Sequence, residues 1–217
     1  MASKYAQLTV KDLGIVQAIT QRTVVLAYLL YHTIVGIEII GKENIPKGKN
    51  FIAACNHVSF SDPPLLAAAL NTPMAFMAKD GLFNSPLKAT FFKALGCISV
   101  NRDKLEIATI RSAKEIVKAG WILGIFPEGT RIFTEHLGKV NRGFAFLAKT
   151  TKTDVLPVAM IGTDKKFGKV TIKIGKLIST EEEGDNLVET WTKAMSELTG
   201  RPPYPEEETQ ELQPTES

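Results

Sequence analysis

The run Asn56-His57-Val58-Ser59-Phe60-Ser61-Asp62 places an imidazole, a carboxylate and two hydroxyls within seven residues. It follows an apolar run, Phe51–Cys55, that reads as a short buried strand. It precedes Pro63-Pro64-Leu65-Leu66, which reads as a helix start with Asp62 at the N-cap and proline in the first turn. His57 therefore belongs to a loop leaving a strand, and Asp62 to the mouth of the next helix. A tight loop there folds the carboxylate back onto the imidazole. An Asp on one ring nitrogen fixes the tautomer and makes the other nitrogen a general base. The alternative, Asp62 as a plain helix cap beside an ordinary loop histidine, stays open on this fragment alone, because Asp is a common N-cap.

Three further segments carry functional groups off strand ends. Gly96–Val100 leads into Asn101-Arg102, and Ile122–Phe126 leads into Pro127-Glu128-Gly129-Thr130-Arg131. Val155–Met160 is an apolar strand interrupted by Pro157. Arginine offers a fork of donors and glycine lets the backbone approach, a combination suited to a phosphate. Taken alone, Arg102 also reads as a solvated surface residue and Pro-Glu-Gly-Thr-Arg as a polar turn. Other chemistries fit less well. Cys55 lies two residues before His57, but strand alternation keeps it inside the packed run. There is no Gly-x-Ser-x-Gly elbow and no Gly-x-x-x-x-Gly-Lys-Ser/Thr phosphate loop. His136 reads as a loop histidine.

The elements that must position these groups alternate. Strands are expected at 37–40, 51–55, 74–78, 97–101, 122–126, 155–160 and 169–174. Helices are expected at 63–70, 86–95, 105–119, 143–150 and 187–199. In the helix at 105–119, apolar residues at 107, 110, 113, 116 and 117 give a helical period. This order predicts an α/β fold: a largely parallel mixed sheet flanked by helices, with functional loops at the carboxyl ends of strands. Before it, residues 10–34 read as one or two amphipathic helices. The apolar stretch Val24–Gly36 is shorter than the roughly 20 residues a spanning helix needs, and the N-terminus lacks a secretory signal pattern. The expected organisation is a membrane-interface helical segment at 1–35, the main domain at 36–200 and a disordered acidic tail at 201–217.

The chain has 217 residues, enough for one domain with a substantial core, and a net charge of +3. Residues 201–217 hold Arg201 against five glutamates; removing them leaves 25 basic against 18 acidic side chains, a net charge of +7. A basic body suits phosphate-bearing partners such as nucleic acid, anionic lipid or phosphorylated metabolites, although simple solubility explains it equally well. Cys55 and Cys97 sit in strand-like runs without metal-ligand spacing and read as buried reduced thiols.

The ordered set Asn-His-x-Ser-x-x-Asp, Gly-x-Ile-x-x-x-Arg, Phe-Pro-Glu-Gly-Thr-Arg and Val-x-Pro-Val resembles the glycerolipid acyltransferase family over roughly residues 36–178. The first and third blocks are specific together; the second and fourth are weak alone. The resemblance implies the family's α/β fold and a transfer of an acyl group from a thioester to the free sn-2 hydroxyl of 1-acylglycerol-3-phosphate, giving phosphatidic acid. It implies His57 as catalytic base and Asp62 as its partner. Arg102 and Arg131 match arginines that hold the acceptor phosphate, while Glu128, Gly129 and Thr130 belong to the substrate-binding block. Val158 matches packing near the acyl pocket. The family uses no metal and no acyl-enzyme, so the expected cofactor is none, with acyl-CoA or acyl carrier protein as donor substrate. The expected partners are lysophosphatidic acid, the donor and an anionic membrane surface, with no nucleic acid. The expected location is the cytoplasmic face of the membrane, peripheral or monotopic. The chain departs from the family pattern in carrying Ile132 where many members have Ser. A Phe-Lys-Lys-Gly-like run is replaced by Gly138-Lys139-Val140-Asn141-Arg142-Gly143, where Lys139 and Arg142 supply similar charge. Glycerol-3-phosphate or another lysophospholipid as acceptor, and a non-catalytic lipid-binding scaffold, are the rival readings; the scaffold would be expected to lack His57, Asp62 or Glu128. Phe60, Met74, Phe76, Met77, Phe83, Phe91 and Phe92 are candidates for core or for acyl-chain shelter.

Overall fold

The computed structural model describes residues 14–100, 107–165 and 168–205. A long helix, α1 (Ile15–Val35), leads into strand β1 (Ile37–Ile40). Then come β2 (Ile52–Cys55), α2 (Asp62–Leu70), β3 (Met74–Lys79), α3 (Pro86–Ala94), β4 (Cys97–Val100), α4 (Ile107–Lys118) and β5 (Ile122–Ile125). The chain continues through α5 (Gly143–Thr151), β6 (Val155–Ile161), β7 (Val170–Ile174), α6 (Thr180–Glu183) and α7 (Leu187–Thr199). Among the described residues, seven strands form one sheet in the order β1-β7-β6-β2-β5-β3-β4. Every pairing is parallel except β6 with β7. The expected largely parallel α/β sheet is the one observed.

Helices cover both faces of the central strands, and this is why β2, β5 and β6 read as unbroken apolar runs, whereas β7 at the antiparallel end alternates, with Thr171 and Lys173 only half-buried. Along β2, Ile52 and Ala54 face a cluster built with Ala113 and Ile116 of α4, Phe144 of α5 and Trp191 of α7. Ala53 and Cys55 face the opposite cluster, with Leu65 and Leu66 of α2 and Ala89 of α3. The period of two in a strand assigns alternate residues to the two layers. Trp191 is fully buried, and its indole N–H donates to Ala54 O at 3.2 Å, so α7 is tied to the central strand.

The N-terminal segment, expected as one or two helices, is a single helix of 21 residues over its described length, and it packs against α2 and α3. Its buried Gln21 bonds to Met74 and Leu95. One boundary differs from the sequence reading: residues 201–205 are not a free tail. Pro202 O accepts from Leu137 N at 2.9 Å, and Tyr204 stands edge-on to His136. A proline-rich stretch has few N–H donors of its own, but its carbonyls still accept from a neighbouring loop.

Candidate active site

Three adjacent parallel strands, β5, β2 and β6, end at the same edge of the sheet. Glu128 follows β5, His57 follows β2, and Thr163 follows β6. Asn56 carries the ladder one residue past the end of β2 through its side chain. Its Oδ1 accepts from Met160 N at 2.8 Å, and its Nδ2 donates to Met160 O at 3.0 Å. The amide reproduces a backbone donor and acceptor, so the chain leaves the sheet at a fixed point.

Asp62 does not cap its helix. The N-cap is Ser61, and Asp62 is the first helical residue. Pro63 and Pro64 supply no N–H in the first turn, which removes the donors an N-cap carboxylate would otherwise find. The Asp62 carboxylate turns back into the loop instead. Its Oδ2 stands 2.8 Å from His57 Nδ1 and accepts from Val58 N and Ser59 N, each at 2.7 Å. Its Oδ1 accepts from the Thr163 hydroxyl at 2.5 Å. Four donors thus surround a carboxylate with no solvent exposure, the condition for burying such a group without a large penalty.

The His57 ring is stacked on Phe126, with centroids 4.2 Å apart. With Nδ1 on Asp62, the other ring nitrogen, Nε2, has no protein partner among the described residues. His57 lines an apolar cleft of about 310 Å³. Phe76, Met77, Phe91, Phe92 and Cys97 form other parts of its wall, and α1 contributes Gln21, Val24 and Val25. The candidate shelter residues therefore divide: Phe60, Phe76, Met77, Phe91 and Phe92 line the cleft, whereas Met74 and Phe83 are fully buried core.

Glu128, which the resemblance puts in the substrate-binding block, is turned inward. Its Oε2 accepts from His57 N at 2.9 Å and its Oε1 from Gly138 N at 2.8 Å. Burial pushes this carboxyl above its ordinary value, against the opposing pull of the two N–H donors and the charges of His57 and Arg201. It braces the His57 loop against the 132–138 loop, a second tie being Ile132 N to His57 O at 2.8 Å. Gly129 has φ +69, a left-handed conformation that closes the turn after β5. Thr130 is exposed.

Arg131 lies over the ring of Phe60 at 3.8 Å and near that of Phe133 at 5.9 Å. Both rings are largely exposed. Among the described residues the guanidinium makes no ion pair, so an aromatic face rather than a carboxylate orients it. Arg102 lies outside the described residues. Cys55 is fully buried, and burial, followed by the charges of Asp62 and Glu128, pushes its thiol well up, which removes it as a nucleophile. Burial likewise pushes Cys97 up to about 12. His136 is half-buried, with Nδ1 2.8 Å from Leu137 O. Sequence reading missed Thr163, Gln21 and the partners of Asn56, since no local spacing connects them to His57.

Residues 36–161, which carry the histidine–carboxylate pair, match the family model described as Acyltransferase. The chain belongs to this acyltransferase family. It is 34% identical over 138 residues to the 1-acyl-sn-glycerol-3-phosphate acyltransferase of Borreliella burgdorferi, an alignment covering 62% of this chain and 55% of that protein. It is 32% identical over 143 residues to the Bacillus subtilis protein of the same name, covering 65% of this chain and 70% of the other. Among solved structures, the 1-acyl-sn-glycerophosphate (LPA) acyltransferase PlsC of Thermotoga maritima superimposes with a TM-score of 0.66 at 27% identity, covering 84% of this chain and 80% of that one. The chain thus spans little more than half the length of the Borreliella protein and most of the Thermotoga one. In this acyltransferase, the family match contains His57, Asp62 and Glu128 and ends at Ile161, before Thr163.

Proposed function

We propose that this acyltransferase moves an acyl group from an acyl thioester to the sn-2 hydroxyl of 1-acylglycerol-3-phosphate, giving phosphatidic acid. The observation that carries the reading is the His57–Asp62 pair at 2.8 Å on the wall of an apolar cleft. The names of the related proteins supply the acceptor.

A thioester is already activated, so no nucleophilic enzyme group, metal or resident cofactor is needed. Asp62 holds the His57 proton on Nδ1, which leaves Nε2 to take the proton of the acceptor hydroxyl. That oxygen attacks the thioester carbonyl. The carbon–sulfur bond of the resulting tetrahedral species breaks, and the imidazolium proton goes to the departing thiolate. General-base assistance of this kind contributes about 10²–10⁴-fold. Positioning contributes up to about 7–11 kcal/mol, and this is the role assigned to Arg131, with Arg102 as a second phosphate ligand. Gly129 and Thr130 belong to the same substrate-binding turn as Arg131, and Glu128 acts through the backbone of His57. The apolar cleft shelters an acyl chain. Acyl-CoA and acyl carrier protein both satisfy the chemistry as donors.

The acceptor is a lipid, and the surface suits one. Ile19, Leu26 and Leu30 are exposed along one flank of α1, and Leu87 and Phe91 are exposed on α3. Phe60, on the loop before α2, is exposed as well, and both it and Phe91 also line the cleft. Among the described residues, no helix is long and apolar enough to cross a membrane. We place the protein on the cytoplasmic face as a peripheral or monotopic protein, its basic body toward anionic lipid. The test is an assay of purified protein with lysophosphatidate, glycerol-3-phosphate and uncharged-headgroup lysolipids, each with both donors. Phosphatidate formed preferentially from lysophosphatidate supports the reading. Preference for glycerol-3-phosphate or another lysolipid, or absence of transfer with every pair, overturns it.

A further inference from the structure

We propose that Thr163 is a positioning residue for the His57–Asp62 pair, fixing the plane of the carboxylate through its hydroxyl. The proposal rests on the acyl-transfer reading above for its kinetic arm alone.

Three of the four donors to Asp62 come from its own loop and reach the same oxygen, Oδ2. The fourth is the Thr163 hydroxyl, 101 residues away, which among the described residues is the donor to Oδ1. Its 2.5 Å separation lies in the short range of an O–H donating to an ionised carboxylate. The carboxylate torsion is broad and roughly two-fold. A grip on one oxygen therefore leaves the plane free to swing, whereas a grip on both does not.

Thr163 is itself held away from the catalytic loop. After β6, Gly162 takes φ +78, and a Cβ there would come within 2.7 Å of Lys169 O. This turn starts the reversal into antiparallel β7 and leaves the Thr163 side chain buried against Asp62. The end of β6 thus touches the loop twice. Met160 grips Asn56 at its start, and Thr163 grips Asp62 at its finish. A loop pinned at both ends to one strand keeps Nδ1 and Oδ2 in register during proton transfer, when small displacements are costly.

The test compares Thr163→Val, which keeps the branched shape and removes the donor, with Thr163→Ser, which keeps the donor, in the full chain. In the resting protein, the proton between His57 Nδ1 and Asp62 gives a low-field nuclear magnetic resonance signal, assigned by its loss in His57→Ala. We expect Thr163→Val to shift or broaden that signal and to lower kcat about 10- to 100-fold, the scale of one hydrogen bond to a charged group. Both Michaelis constants are expected to stay within about twofold, since binding groups are untouched. Thr163→Ser is expected to keep the signal and most of the turnover. An unmoved signal with wild-type kcat in Thr163→Val overturns the proposal, as does equal loss in the Val and Ser variants with the signal unmoved. If Thr163→Val melts too early to assay, Thr163→Cys, a weak donor of similar size, takes its place against Ser. The signal needs no substrate, so a wild-type protein that acylates no lysolipid would sink the functional reading while the role of Thr163 is still decided.

Discussion

The side-chain amide of Gln21 pairs with both backbone groups of Met74, across 53 residues: Oε1 accepts from Met74 N and Nε2 donates to Met74 O, each at 2.8 Å. The same Nε2 also donates to Leu95 O at 3.1 Å. A helix otherwise rich in apolar residues is thereby fixed to the start of β3, with Gln21, Val24 and Val25 along the cleft. The segment expected to act as an interfacial anchor is also a wall of the candidate site.

Deleting residues 1–34 is therefore expected to lower turnover of a short-chain soluble acceptor as well as of a bilayer-embedded one, besides weakening binding to anionic vesicles. Gln21→Leu is the milder form. It leaves the two Met74 groups without their partner, a cost of about 1–3 kcal/mol for an unsatisfied buried group. Melting and vesicle flotation read the two effects separately. Full activity of the truncated chain on the soluble acceptor would show that α1 is an anchor alone.

His57→Ala is expected to lower acyl transfer by about 10²–10⁴-fold with little change in melting temperature, because the ring is at the cleft wall. Asp62→Asn loses most activity too, and it also destabilises. Its amide sets N–H groups against backbone donors that now meet a carboxylate, at about 1–3 kcal/mol for each buried group left unmatched. Comparable turnover in wild type and a well-folded His57→Ala variant would remove the general-base role.

Arg131→Ala is expected to raise the acceptor's apparent Michaelis constant about tenfold or more, the scale of a hydrogen bond to a charged group, and the donor's much less. Arg131→Lys restores little, because a point charge reproduces neither the fork nor the flat stacking on Phe60. Phe60→Leu, which removes that ring, moves the acceptor constant in the same direction. Equal changes for both substrates would point to a damaged fold instead.

Glu128 sets a pH dependence with a definite sign. Its folded-state value is raised, so its contribution to stability is complete below the ordinary carboxylate range and is lost as pH rises through the raised value. Glu128→Gln mimics the protonated form and lacks this loss. The melting temperature of the variant relative to wild type is therefore expected to improve from acid to neutral pH. A difference that stays constant, or that moves toward wild type, contradicts the assignment. Turnover of the variant falls at every pH, because one of the N–H groups on His57 and Gly138 loses its acceptor.

The sequence by itself determined the elements and the pair at the heart of the site. Runs rich in apolar residues and bounded by turns located the seven described strands within a residue or two; the central ones are continuously apolar because both of their faces are covered, while β7 alternates. His57 and Asp62 are five residues apart, and two prolines strip the following helix of competing donors, so their contact is decided locally. Tertiary structure alone decided the rest. Strand order places the ends of β5, β2 and β6 side by side, and only that order joins Glu128 to His57, Met160 to Asn56 and Thr163 to Asp62. These contacts span 71, 104 and 101 residues, and a threonine or glutamine carries no periodicity that names a distant partner. The inward turn of Glu128 and the stacking of Arg131 on Phe60 have the same origin. A motif fixes which groups are present, but the orientation of each depends on which donors, rings and carbonyls the folded chain brings within about 3–4 Å of it.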